Sequence, residues 1–69
     1  MSTPVNVEIF IIGNEILIGD ILDTNTNWLC AQINHLGGAV DRVTILRDRN
    51  DVIASEIHSA LVRGVDVII

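Results

Sequence analysis

The chain has 69 residues, 49% of them apolar, with nine acidic and four basic side chains for a net charge of -5. That apolar content and a mean hydropathy of +0.50 exclude disorder as the main state, and the acidic balance excludes a broad basic surface for a nucleic-acid backbone. No apolar run approaches the about 20 residues of a membrane span, and residues 1–6 carry neither Lys nor Arg, so a cytoplasmic protein with no membrane partner is expected.

Residues 7–12 (VEIFII) form a short, mostly β-branched run with one charge near its start, the pattern of a central strand covered on both faces. Gly13 ends it. Residues 14–20 (NEILIGD) mix apolar and acidic side chains around a second glycine, which reads as a structured loop or small hairpin, with no helix opening directly at Gly13. Asp23, Thr24 and Asn25 are three candidate N-caps, since their side-chain oxygens accept the free N–H groups of a first helical turn. Leu29, Ile33 and Leu36 then recur at helical spacing, flanked by Trp28, until Gly37 and Gly38 supply a left-handed stop.

Residues 39–46 (AVDRVTIL) read as a second strand with an exposed end or edge, because Asp41 and Arg42 interrupt its apolar residues. A polar link over 47–51 leads into a second helix with an apolar stripe of Ile53, Ile57, Ala60 and Leu61, ending near Gly64. Residues 65–69 (VDVII) read as a buried third strand. The order β, loop, α, β, α, β predicts parallel strands joined by right-handed crossovers, with both helices packed on the sheet. A chain of this length buries only about 60% of the surface it exposes unfolded. The 69 residues are therefore expected to be the first β-α-β-α-β part of one domain, truncated after its third strand and unable to fold alone.

Ligands of open parallel sheets bind beyond the carboxyl ends of the strands. Gly13, Asn14 and Glu15 follow the strand expected at the centre, where backbone N–H groups and a carboxylate can meet a ligand. The alternative is that Gly13 merely permits a sharp exit and Glu15 is solvated. Asp20, Asp23 and Asn25 form a second polar group in which two carboxylates can hold a divalent cation through oxygen, although helix capping accounts for Asp23 or Thr24 equally well. Asp48, just beyond the second strand, carries the same two readings.

The glycines at 13 and 19 do not make a dinucleotide fingerprint, and without any lysine there is no P-loop. Cys30 stands alone, off the main apolar stripe, and no zinc spacing involves it, His35 or His58. The two histidines are expected at the surface. Trp28 can stack on a pterin or purine ring, but core or rim packing is the reading its neighbours favour.

Taken together, Gly13, Glu15, Ile16, Leu17 and Gly19, then Asp23-Thr24-Asn25, then a helix closed by Gly37, with an acid at Asp48, resemble the molybdopterin-binding-like domain family. That family includes the amino-terminal domain of the competence-damage-inducible protein CinA and molybdenum cofactor proteins of the MoaB, MogA and MoeA type. The likeness runs from residue 7 to residue 69, with Asn14 and Ile16 departing from the commoner residues of the motif.

The resemblance implies a three-layer α/β/α domain with a mainly parallel sheet, the first strand lying between the second and third. It also implies a Thr-Gly-Gly-x-Gly loop after the third strand. The function it implies is binding of molybdopterin or a nucleotide, with Gly13, Asn14, Glu15, Asp23, Thr24, Asn25 and Asp48 lining the site. The alternative it implies is a metal-dependent pyrophosphatase of ADP-ribose, linked to pyridine nucleotide metabolism, with a divalent metal held by Glu15, Asp20 and Asp23. No catalytic residue is assigned. The partners expected are a small anionic ligand and further copies of the chain.

Overall fold

The computed structural model describes residues 4–19 and 23–69. In chain order the elements are β1 (Val5–Ile12), a one-turn helix α1 (Asn14–Leu17), α2 (Asn25–His35), β2 (Gly38–Leu46), α3 (Asn50–Val62) and β3 (Val67–Ile68). The three strands form one parallel sheet in the order β2-β1-β3, which is the arrangement expected, with the first strand central. No described helix is long and apolar enough to cross a membrane.

β1 is the core of the molecule because it is paired along both edges. Val7, Glu8 and Ile9 are all buried, and consecutive strand residues point to opposite faces, so both faces of the sheet are covered. Val7 faces α2: a Cβ added at Gly38 would lie 2.8 Å from Ile33 Cγ2 and 3.6 Å from Val7 Cγ2. Glu8 faces the other way, onto the end of α3, where Arg63 Nε and Nη2 donate to its two carboxylate oxygens at 3.0 and 2.5 Å. The helices therefore lie on opposite faces of the sheet. This is the three-layer α/β/α plan, and it follows from topology: β2 and β3 flank β1 on opposite sides, and crossovers of one hand that run in opposite directions put their helices on opposite faces.

β2 begins one residue earlier than expected, at Gly38, and carries a bulge: Val7 pairs with Val40 but Glu8 with Arg42, so Asp41 is the extra residue. The turn before it uses Gly37 at φ +90°, a left-handed conformation that glycine adopts without a Cβ penalty.

Several expectations need correction. Residues 14–17 are a helical turn rather than a loop or hairpin, so a helix does open directly after Gly13. The segment 65–69 is not a buried strand: only Val67–Ile68 is paired as strand, and Val67 and Ile69 are exposed. It is nevertheless tied to β1 at both ends by Asp66 N–H to Asn6 O at 3.0 Å and Phe10 N–H to Ile69 O at 2.9 Å.

Both long helices are also rotated relative to their apolar stripes. In α2 the partly buried positions are Thr26, Leu29, Cys30 and Ile33; Cys30 thus lies on the inward face, while Trp28 is 62% and Leu36 87% exposed. Leu36 misses the core because the helix ends at His35 and the helical spacing no longer applies. In α3 the covered face runs through Ile53, Glu56 and Ala60, leaving Ile57 and Leu61 exposed. Arg63 continues that face by one turn, which is how the cation reaches Glu8.

Candidate functional site

In an open sheet of order 2-1-3, the crevice for a ligand opens beside the carboxyl end of the central strand, at the point where the crossovers diverge. Here that end is Ile12, followed by Gly13, Asn14 and Glu15. The last rung of the ladder between β1 and β2 is Gly13 N–H to Leu46 O at 3.0 Å, so the Gly13 amide is already used and is not available to a ligand. Gly13 is buried with an extended backbone, φ 172°, which any residue can adopt. Its glycine is explained by close approach instead: a Cβ there would lie 2.9 Å from Glu15 Oε1. The Glu15 carboxylate thus folds back over the strand end, on an otherwise exposed residue.

Asn14 joins this loop to the one after β2. Its side-chain Oδ1 accepts the Asp48 N–H at 3.1 Å. The structure thereby brings together four of the expected site residues, Gly13, Asn14, Glu15 and Asp48, from segments 34 positions apart in the chain. Asp48 and Asn14 are both exposed. Next to Asp48, Arg49 and Asp51 form an ion pair of 3.0 Å in which both side chains are largely solvated, an arrangement that contributes little to stability.

The second expected group behaves differently. Asp23 Oδ1 accepts the backbone N–H groups of Asn25 and Thr26 at 3.2 and 3.3 Å, and its Oδ2 accepts the Thr26 hydroxyl. Thr24 occupies the N-cap position without a side-chain bond of its own. The helix is therefore capped by the residue before it, and both Asp23 oxygens are engaged. The Thr26 hydroxyl, more than the two amides, holds the Asp23 carboxyl below the usual carboxylate range. Asn25 opens the helix and is exposed, as is Thr24. No hydrogen bond among the described residues links residues 23–25 to Gly13, Asn14 or Glu15.

Asp20 lies outside the described residues. Among those described, no three His, Cys, Asp or Glu side chains converge as metal ligands do, and no pocket closes around the crevice. Glu15 and Asp23 alone do not meet the six to eight oxygen ligands of a calcium-type site. The cation-assisted pyrophosphatase considered above gains no support from this arrangement. His35 and His58 are exposed, as expected.

Among the described residues, the most strongly built polar contact lies elsewhere, at a position that the sequence reading does not single out. Glu8 is 1% exposed and accepts both bonds of the Arg63 guanidinium. Those bonds, opposed by burial, hold its carboxyl below the usual range, with Arg42 adding a smaller effect in the same direction. The signal that could have found it is a lone acid inside an apolar strand, which requires a partner once buried.

The comparisons with known proteins bear on this geometry. Residues 8–69 match the family model described as "Probable molybdopterin binding domain". A CinA-like protein of Cytophaga hutchinsonii is 36% identical over all of this chain, which spans 16% of that protein. A protein of Pyrobaculum arsenaticum is 40% identical over 84% of the chain, which there spans 22% of the relative. The crystal structure of CinA, a protein of unknown function from Thermoplasma acidophilum, superposes with a TM-score of 0.85 at 28% identity, covering 97% of this chain and 39% of that one. Since the match takes in both crossovers and the loop after β1, the chain belongs to the molybdopterin-binding domain family and is a domain of the CinA amino-terminal type.

Proposed function

We propose that the chain forms one wall of a binding site for a small anionic ligand of the pterin or nucleotide type, at the carboxyl end of β1 and the loop after β2 beside it. The observation that carries this reading is the sheet order β2-β1-β3, which sets the crossover divergence beside β1 and hence beside Gly13, Asn14 and Glu15. Family membership supports the pterin end of the ligand class.

The side chains suit such a ligand in a specific way. Glu15 and Asp48 are acceptors, so they would take hydrogen bonds from ring or amino N–H groups of a pterin or from ribose hydroxyls, rather than contact a phosphate. The anionic part of the ligand then belongs to backbone N–H groups, which hold phosphate without basic side chains. Asp23, committed to its helix, contributes by keeping the start of α2 in place.

Calorimetric titration of the protein expressed from its full reading frame, with molybdopterin and with ADP-ribose as probes, tests this. Glu15→Gln is expected to weaken the binding of whichever probe is taken up by about tenfold, the worth of one charged hydrogen bond. An affinity unchanged by that substitution removes Glu15 and the crevice from the reading.

A further inference from the structure

The ladder between β1 and β2 ends at Gly13 N–H to Leu46 O. Past that rung the two chains turn apart, Asn14 into a helical turn and Arg47 into the link that leads to α3. One hydrogen bond nevertheless continues the pairing beyond the strands: Asn14 Oδ1 accepts the Asp48 N–H at 3.1 Å. A side chain here takes the place of the backbone carbonyl that the diverging strands can no longer supply. The donor is a backbone amide, so the Asn14 atom facing it must be the carbonyl oxygen, and the amide NH2 points elsewhere.

We propose that Asn14 is a positioning residue: by accepting the Asp48 amide it holds the loop after β2 against the loop after β1, and so fixes where the Asp48 carboxylate stands relative to Glu15. This rests on the crevice being the ligand site. It assigns Asn14 a role distinct from ligand contact. The geometry is demanding, because the acceptor must sit on the γ carbon of the residue immediately after Gly13. Alanine has no acceptor, and glutamine carries its own one carbon too far. Aspartate alone keeps the oxygen in place, with an added charge.

Two measurements on the protein from its full reading frame test the proposal. Water-exchange NMR of the Asp48 amide needs no ligand. Asn14→Ala is expected to speed that exchange about three- to tenfold, as loss of one modest hydrogen bond would, and Asn14→Asp is expected to restore the wild-type rate. An Asp48 amide indifferent to Asn14→Ala overturns the proposal.

The second measurement is a double-mutant cycle on affinity for whichever of the two probes, molybdopterin or ADP-ribose, the wild-type protein takes up, using Asn14→Ala, Asp48→Asn and the pair. If Asn14 acts through the Asp48 carboxylate, Asn14→Ala weakens binding about three- to tenfold in the wild-type background and has no further effect once Asp48 is Asn. Additive losses would mean that Asn14 touches the ligand itself, and an affinity untouched by Asn14→Ala would mean that the bond positions nothing; either result overturns the role. Wild-type protein that takes up no probe removes the ligand reading and the positioning role with it, while the exchange rate still shows separately whether the bond between the loops exists.

Discussion

The middle of β1 and its carboxyl-terminal end are built on opposite principles. The middle is packed on both faces: Val7 and Ile9 are buried, and Glu8 is sealed by the Arg63 guanidinium. Its carboxyl-terminal end runs out into Gly13, Asn14 and Glu15, where the link to the neighbouring loop is one side-chain hydrogen bond between exposed residues. The middle concentrates the contacts that hold three layers together. The carboxyl-terminal end leaves carboxylates solvated, as loops on a rigid scaffold commonly do. The lesson is that the strongest polar interaction of a small domain need not mark its functional site, because burial, not reactivity, is what makes a charge pair conspicuous.

Substitutions in the two regions should therefore separate stability from binding. The largest loss of stability is expected in the packed middle, from Glu8→Gln. It replaces a charged, doubly bonded partner of Arg63 by an amide and should cost about 2 kcal/mol in urea unfolding. The same residue governs the acid response. Its folded carboxyl titrates below the usual carboxylate range, so its contribution is fully present above the unfolded pKa and is lost as pH falls through the lowered folded value. Glu8→Gln should flatten that acid limb; a mutant that keeps the wild-type slope would show that the pair does not report on folding.

A smaller loss, about 1 kcal/mol, is expected from Gly38→Ala, since the added methyl would meet Ile33 Cγ2 at 2.8 Å and push α2 off the sheet. Thermal unfolding checks this, and an unchanged midpoint would mean that the layer absorbs the methyl. The smallest effect on stability belongs to the open end. Glu15→Gln should change unfolding by no more than about 0.5 kcal/mol, as surface substitutions do, whatever its effect in the binding titration. A destabilisation at Glu15 as large as that at Glu8 would erase the distinction between the two regions.

Much of this was legible in the residues. The β-branched run around Ile9 and Ile11, the cap signals at Asp23 to Asn25 and the Gly37-Gly38 stop located β1, α2 and β2 to within a residue or two, because each depends on local backbone preference. The helical turn after β1 is not legible, since the residues that follow Gly13 alternate too irregularly to announce it. Leu29, Ile33, Ile53 and Ala60 of the two apolar stripes are covered, but Leu36 and Leu61 of the same stripes, and Trp28 beside the first, are exposed. Helical spacing reports which residues share a face of a helix, but the rotation of that face is chosen by what the helix lies against. Among the candidate site residues, Gly13, Asn14, Glu15 and Asp48 could be named from their place after strands, yet their meeting through Asn14 could not.

The order of the strands and the two long helices, the parallel sheet and the family are written in the residues alone, since hydrophobic period, capping and glycine placement act over a few adjacent positions; the helical turn α1 is not. It took the tertiary structure to show that Glu8 finds Arg63 across 55 positions and that Asn14 reaches Asp48. Those pairings depend on helix rotation and strand divergence, which arise when the layers pack and leave no trace in the spacing of any one segment.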